Sequence, residues 1–191
     1  MTTSLPHLTN TLTHDIFANP APSILLPIAL GTAVGYSTRP SQTQQTYLSM
    51  KQPPLRPPPQ VFGPVWTALY GLMGYAAHRA VTSSPTSSSS SSNPIPLLYA
   101  AQLGLNLAWM PLFFGLRRPA LALADLVALL GLNGWLARLY FAVDPVAGWC
   151  AVPYLAWLGF AAYLNAGVGH LNGWDISEST LATRKALGKE Q

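Results

Sequence analysis

The sequence predicts an all-α integral membrane bundle of five transmembrane helices, and three observations predict it. Half of the 191 residues are hydrophobic and only 8% are charged, whereas an ordinary soluble domain carries about 25% charged residues. Five apolar runs of helical length alternate with polar or proline-rich segments. If the chain crosses the membrane five times, eight of the ten Lys and Arg residues fall on one side, as the positive-inside rule requires.

The domain organisation follows from shifts in composition. Residues 1–22 are polar and are expected to form a flexible arm, residues 23–172 the transmembrane domain, and residues 173–191 a polar tail. Residues 82–94 are a Ser-rich loop that is expected to be disordered, because it has no apolar surface to bury. The five predicted spans are 23–37, 61–80, 95–116, 121–143 and 146–168.

The first span, 23–37, is short for a membrane helix. At 1.5 Å per residue it covers only about 22 Å of a roughly 30 Å hydrocarbon core, so it needs flanking residues or a thinner membrane. Gly31 and Gly35 have the small-residue spacing that lets a neighbouring helix approach closely. Residues 39–60 then form a polar, proline-rich loop.

The second span is entered directly from that proline-rich loop. Its aromatic and apolar residues recur at spacings of four, three and four, which places them on one helical face. They are Trp66, Tyr70, Met73 and Ala77. Such a stripe is typical either of a core-facing helix or of one wall of a ligand pocket, and the second span alone does not decide between them.

The third span carries a polar and aromatic stripe of the same spacing, formed by Gln102, Asn106, Trp109 and Phe113. Amide side chains in a lipid-spanning helix must find partners, since no water is available there. They can bond neighbouring helices or form the polar floor of a pocket, and one Asn can do both. In the fourth span, Asp125 is either a stabilised carboxylate near a helix start or a functional acid.

One face of the fifth span combines aromatic, small and polar residues: Tyr154, Trp157, Ala161, Leu164 and Asn165. A small residue beside an indole leaves a niche that suits a flat apolar ligand. Close helix packing through the small residue is the alternative.

The sequence lacks the residues that several other classes of protein function require. The four His residues are scattered and Cys150 is the single cysteine, so we expect no metal site and no disulfide. We find no phosphate-binding Gly-rich loop and no nucleophile–base pair, and no cofactor is required. The net charge of +4 reflects scarce acids and forms no dense basic patch, which argues against a nucleic-acid partner.

Four segments together resemble the TspO/MBR family, the tryptophan-rich sensory proteins and mitochondrial translocator proteins (peripheral benzodiazepine receptors). They read PP-x-x-VFGPVW-x-x-LY-x-x-MGYA at 57–76, QLGLNLAW-x-PLFFGLRRP at 102–119, ALALAD at 120–125 and PYLAWLGFAAYLN at 153–165. The resemblance implies a five-helix bundle with a hydrophobic ligand pocket. Family members bind porphyrins, animal members also bind cholesterol and benzodiazepine-type drugs, and some bacterial members degrade protoporphyrin IX in light.

The resemblance also implies roles for individual residues. Trp66 and Trp157 match the two tryptophans implicated in porphyrin breakdown, and Asn106 and Ala161 match positions that line the drug pocket. The chain departs from the family in the first loop, where aromatic residues that would cover the pocket are replaced, among others by Leu55 and Gln60. The Tyr and basic residue of the animal sterol motif are replaced by Ala166 and His170.

Three functions are therefore carried forward. The first is a membrane protein that binds a porphyrin, haem or a related hydrophobic ligand and acts as a sensor or carrier. The second is an enzyme that degrades porphyrin with light and oxygen through Trp66 and Trp157, and the third is a scaffold in sterol or lipid transport. The candidate ligand-binding residues are Trp66, Tyr70, Asn106, Trp109, Phe113, Tyr154, Trp157, Ala161, Leu164 and Asn165.

Expected partners are the lipid bilayer and a hydrophobic small molecule, a porphyrin or a sterol. The sequence does not decide whether the protein forms a homodimer. The Ser tract and the resemblance together indicate the mitochondrial outer membrane, with the endoplasmic reticulum or secretory membranes as the alternative. The charge asymmetry predicts a C-terminus in the cytosol.

Overall fold

The computed structural model describes residues 16–38, 40–84, 93–177, 179–181 and 183. Most of the predicted N-terminal arm, most of the Ser-rich loop and the end of the tail lie outside these residues. All regular structure in the described ranges is helical, which confirms the all-α prediction. The helices are α1 (Pro20–Ser37), α2 (Pro40–Ser49), α3 (Phe62–Ser83), α4 (Ile95–Met110), α5 (Pro119–Val143) and α6 (Pro145–Leu171).

Three of these helices are long and apolar enough to cross a membrane by length and composition. They are α4 together with its π-helical extension Pro111–Gly115, α5 and α6, with mean hydropathies of 1.4, 1.7 and 1.3. The other two long helices, α1 and α3, are less apolar and contain 18 and 22 residues. The structure therefore supports a helical protein with three long apolar helices.

The start of α1 and the first loop differ from the sequence prediction, and α3, α5 and α6 each extend two or three residues beyond a predicted span limit. Helix α1 begins at Pro20, three residues before the predicted span, because the Asn19 side chain accepts the Ala21 amide at 3.1 Å and caps it, while Pro20 occupies the first turn. The predicted loop of residues 39–60 contains helix α2. This segment has a proline only at its first position, where the missing N–H does no harm.

The five long helices form a closed ring in the order α1, α3, α6, α5, α4 and back to α1. Helices α1 and α3 approach closely because Gly74 lies directly against the backbone of Ser23 and Gly31 lies against the ring of Tyr70. A side chain at either glycine would collide with these atoms. Apart from the neighbouring residues of its own helix, no atom of the described residues lies within 4 Å of where a Cβ of Gly35 would be.

A second, smaller core closes the end of the bundle where α5 begins and α6 ends. Its buried members come from the first loop, the π-helical turn, α5, α6 and the start of the tail. They are Met50, Phe113, Ala122, Val168 and Ile176. Ile176 is completely buried. The first tail residues therefore pack against the bundle.

The opposite end of the bundle is held by a charged clamp between α3 and the α5–α6 turn. Arg79 Nε donates to Asp144 Oδ2 at 2.7 Å, and Ser83 Oγ donates to the same oxygen at 3.0 Å. The other oxygen caps α6 by accepting the Val146 amide at 2.8 Å. The hydrogen bond from Arg79 is the main reason that the pKa of Asp144 falls to about 2, although burial acts in the opposite direction.

The clamp predicts a defined loss of stability in acid. Since the Asp144 pKa is about 2 in the folded protein and about 3.9 in an unfolded chain, its contribution is present above about pH 4 and is lost as the pH falls toward about 2. We expect Asp144→Asn to lower the thermal unfolding midpoint in detergent at pH 6, and the difference from wild type to narrow toward pH 2. A difference that is independent of pH would contradict a role for the charge.

Candidate functional site

Asn106 of α4 joins three helices in the centre of the bundle. Its Oδ1 accepts the hydroxyl of Tyr70 from α3 at 2.7 Å, and its Nδ2 donates to the hydroxyl of Tyr154 from α6 at 2.7 Å. All three side chains are buried, with Tyr154 only 1% exposed. One amide thus satisfies two phenols that would otherwise lack partners in an apolar interior.

Two indoles lie beside this hydrogen-bonded centre. Trp66, one turn before Tyr70 on α3, has its ring 5.3 Å from the Tyr70 ring and 6.4 Å from the Tyr154 ring. Trp157 of α6 meets Trp66 edge to face, with centroids 6.3 Å apart and planes at 84°. Phe62 also packs edge to face with Trp157, with ring centroids 6.1 Å apart. These rings contact one another, so a flat ligand must displace or rotate at least one of them.

A second aromatic group lies further along α4. Trp109 and Phe113 stack with centroids 5.0 Å apart and planes at 20°. The Trp109 indole N–H donates to Asn165 Oδ1 at 3.3 Å, and Asn165 Nδ2 donates to the Pro119 carbonyl at 2.8 Å. This group connects α4, α5 and α6, and Trp109 borders both the main core and the smaller core.

The structure therefore places eight of the ten candidate residues in two adjoining groups rather than in one. Trp66, Tyr70, Asn106, Tyr154 and Trp157 surround the central hydrogen bonds, while Trp109, Phe113 and Asn165 form the second group. Ala161 packs against the main core, and Leu164 is half-buried on α6. Gln102 is buried one turn before Asn106, but its Oε1 has no hydrogen-bond partner among the described residues.

The first loop is fastened along the last turns of α6. Asn172 Oδ1 accepts the Lys51 amide at 3.2 Å, and Asn172 Nδ2 donates to the Lys51 carbonyl at 2.8 Å. Further along, Pro53 rests on Gly167, where a Cβ would lie 2.7 Å from the proline ring. Tyr163 then donates its hydroxyl to the Pro54 carbonyl at 3.0 Å.

The path of the first loop along α6 brings it close to Trp157, at the edge of the aromatic group formed with Trp66. The Tyr47 hydroxyl donates to the Pro57 carbonyl at 2.9 Å, and the Tyr47 ring packs on Phe62 at 5.7 Å. Partial burial raises the pKa of Tyr47, and nearby Arg56 lowers it. A cation therefore lies near the aromatic chain that leads from Tyr47 through Phe62 to Trp157.

The proline content of the loop explains how it can lie against apolar helices. Five of the nine residues from 51 to 59 are proline, and proline has no N–H to satisfy. An extended segment of ordinary residues in this position would expose several amide donors to an apolar environment. The proline-rich sequence is therefore suited to a loop that covers the helices.

Two residues of this region were not among the candidates. Phe62 lies four residues before Trp66, so it extends the predicted helical stripe, and this spacing could have identified it. Asn172 gave no signal in the sequence, because its partner Lys51 is 121 residues away. Among the described residues no group of His, Cys, Asp and Glu could hold a metal ion.

Comparison with known proteins identifies the family. A sequence model of the TspO/MBR family matches residues 23–171. The chain belongs to the TspO/MBR family. This confirms the resemblance drawn from the four sequence segments, and the family consists of membrane proteins.

Individual relatives cover most of this TspO/MBR chain. It is 49% identical over 148 residues to the translocator protein homolog of Schizosaccharomyces pombe, covering 78% of this chain and 88% of the relative. It is 36% identical over 157 residues to the translocator protein of Homo sapiens, covering 81% and 92%. It is also 36% identical over 133 residues to the tryptophan-rich sensory protein of Cereibacter sphaeroides, covering 70% and 80%.

The loop contacts predict a local effect of removing Asn172. In Asn172→Ala the amide and carbonyl of Lys51 lose these part-buried hydrogen bonds, each of which contributes about 0.5–1.5 kcal/mol. We expect faster amide hydrogen exchange over residues 50–57, measured by mass spectrometry, with little change in α4 around Asn106.

The matched control is Asn133→Ala. Asn133 is also buried, but it donates to the Leu129 carbonyl within its own helix, so this variant should leave exchange in the loop unchanged. Equal exchange over residues 50–57 in wild type and Asn172→Ala would contradict the fastening role.

Proposed function

We propose that this chain is a five-span membrane protein that binds a tetrapyrrole, such as a porphyrin or haem, and acts as a sensor or carrier. The observation that carries the proposal is the convergence of Trp66, Trp157 and the Tyr70–Asn106–Tyr154 hydrogen bonds between three helices. Aromatic rings suit a large flat apolar ligand, and the few polar groups would set its orientation. The names translocator and sensory protein among the relatives agree with a carrier and with a sensor.

The chemistry of the ligand fits the loop as well as the interior. A tetrapyrrole combines an apolar macrocycle with acidic propionates. The macrocycle would stack on Trp66 and Trp157 after these rings rotate, with Trp109 and Phe113 extending the aromatic surface. Lys51 or Arg56, both exposed on the loop, would meet a propionate through a charge-assisted hydrogen bond.

A five-span topology requires α1 and α3 to cross together with the three more apolar helices. Helix α3 is about 33 Å long and α1 about 27 Å, and both lie in the same ring as the other three. Lys51, bonded to Asn172, and Arg118, just before α5, lie at one end of this ring, and Arg79 and Arg138 lie toward the other. By the positive-inside rule the first end and the C-terminus would face the cytosol, and the mitochondrial outer membrane is our proposed location.

This topology can be tested by cysteine labelling in a Cys150→Ser background. A large, membrane-impermeant maleimide added to intact mitochondria should label Ser179→Cys in the tail but not Thr82→Cys at the end of α3. Detergent should make both positions reactive. Labelling of both residues from the same side of an intact membrane would rule out an odd number of spans between them.

Tetrapyrrole binding is tested by titrating protoporphyrin IX in the dark and following tryptophan fluorescence. We expect saturable quenching in wild type. In Trp66→Phe plus Trp157→Phe, most of this quenching should disappear and affinity should fall about tenfold, because the stacking surface is smaller.

The control is Trp135→Phe plus Trp149→Phe, which removes two indoles that are 54% and 67% exposed on the outside of the bundle. This variant should retain the saturable quenching of wild type. Quenching that is absent in wild type, or identical in the two double variants, would refute the proposed site.

The contact between Trp66 and Trp157 also favours a second candidate, the light- and oxygen-dependent breakdown of porphyrin. Both indoles would border the same bound macrocycle, where they could react with an excited porphyrin and oxygen. Illumination of the same samples should then yield a new absorbing product in wild type and not in Trp66→Phe plus Trp157→Phe. Unchanged porphyrin after illumination would leave binding as the function and exclude the enzyme.

A further inference from the structure

A cleft of about 620 Å³ lies outside the aromatic site, at the end of the bundle where α5 begins and α6 ends. It is formed by the α4–α5 turn on one side and the start of the tail on the other. Its lining residues are Leu116, Arg117, Arg118, Trp174, Asp175 and Ser177. The volume falls within the roughly 300–1,000 Å³ of small-molecule sites.

Both walls of the cleft are held in unusual backbone conformations. Arg117 has φ 55° and Trp174 has φ 59°, a left-handed region that residues other than glycine rarely adopt. The Trp174 amide donates to the Gly169 carbonyl at 2.7 Å, and the indole lies against Gly169. On the other wall the Arg118 amide donates to the Leu112 carbonyl at 3.1 Å. These contacts stabilise the strained backbone conformations of Arg117 and Trp174, and such strain is common at binding sites.

The charge of the lining favours an anion. The lining contains two basic side chains, those of Arg117 and Arg118, and one acidic side chain, that of Asp175. This carboxylate already accepts the Ser177 amide at 2.9 Å and the Thr180 hydroxyl at 2.7 Å. The lining therefore keeps an excess of one positive charge, and its acid is engaged in local hydrogen bonds.

The surroundings of the cleft indicate where the anion comes from. Leu116, on the rim, is 63% exposed, and Leu121, one turn into α5, is 53% exposed. In a helix bundle that lies in a membrane, exposed apolar side chains close to an exposed arginine such as Arg118 are typical of the boundary between the hydrocarbon core and the lipid headgroups. Trp174, 43% exposed, is the type of residue that occupies this depth. A ligand that is anionic at one end and apolar at the other matches both features.

We propose that this cleft binds the phosphate-bearing headgroup of an anionic phospholipid. Arg118 would hold the phosphate, since guanidinium forms bidentate charge-assisted hydrogen bonds with phosphate oxygens, and Arg117 adds to the positive charge of the lining. The Trp174 indole would cover the glycerol region, and the acyl chains would run down over Leu116 and Leu121. The site is separate from the proposed tetrapyrrole site.

The test measures the thermal unfolding midpoint in nanodiscs of phosphatidylcholine with and without phosphatidylserine. A ligand that binds only the folded protein raises its stability, so we expect phosphatidylserine to raise the wild-type midpoint by roughly 2–4 °C. This gain should be lost in Arg118→Gln and partly kept in Arg118→Lys, which retains the charge without the bidentate geometry. Native mass spectrometry should show one retained phosphatidylserine fewer in Arg118→Gln.

Arg138→Gln is the matched control, because Arg138 is also exposed but lies at the other end of the bundle, 5.7 Å from the Trp135 ring centre. It should keep the full gain, and protoporphyrin quenching should be unchanged in Arg118→Gln. A gain that survives in Arg118→Gln, or that falls equally in Arg138→Gln, would overturn the proposal in favour of general attraction between charges. An equal gain from inorganic phosphate in phosphatidylcholine nanodiscs would overturn the lipid as the ligand.

Discussion

The hydrogen bonds of Asn106 are the interaction on which the rest of the interior depends. A phenol or an amide that is buried in an apolar bundle without a hydrogen-bond partner destabilises the fold. Here the Asn106 amide bonds two phenols, one from α3 and one from α6. This fixes the rotation of three helices about their axes. Trp66 and Trp157 then face each other because each lies about one turn from a tyrosine that Asn106 holds. The aromatic site is thus a consequence of the polar centre.

The first loop completes the site by lying against α6 instead of extending into solvent. Its prolines reduce the number of unpaired amides, and Asn172, Gly167 and Tyr163 hold three successive points of it. Because the loop runs down beside α6, α3 begins at the depth of Trp157 and not at the end of the bundle. Leu55 and Gln60, which replace aromatic residues expected from the family resemblance, belong to this covering loop.

The two ends of the bundle are stabilised by different means. At one end the Arg79–Asp144 pair joins α3 to the α5–α6 turn, and polar groups hold the helices together. At the other end Met50, Phe113 and Ile176 form a small apolar core, which connects the loop, the π-helical turn and the tail. Trp109 touches this core and also the main one. Trp109 therefore connects the main core of the bundle to the smaller core that holds the start of the tail.

The sequence by itself determined the helical class, the family and most of the residues that meet in the interior, because helical spacing and apolar composition are local properties of the chain. It predicted one-sided stripes through Trp66 and Tyr70, through Asn106 and Trp109, and through Tyr154 and Trp157, and these stripes do face one another. Only the tertiary structure decided that they form two adjoining groups, and that a helix interrupts the first loop. It alone paired Asn172 with Lys51 and placed Arg118 across a cleft from Trp174. These pairings join residues far apart in the chain, and no local pattern specifies which distant partner completes a hydrogen bond or a cleft.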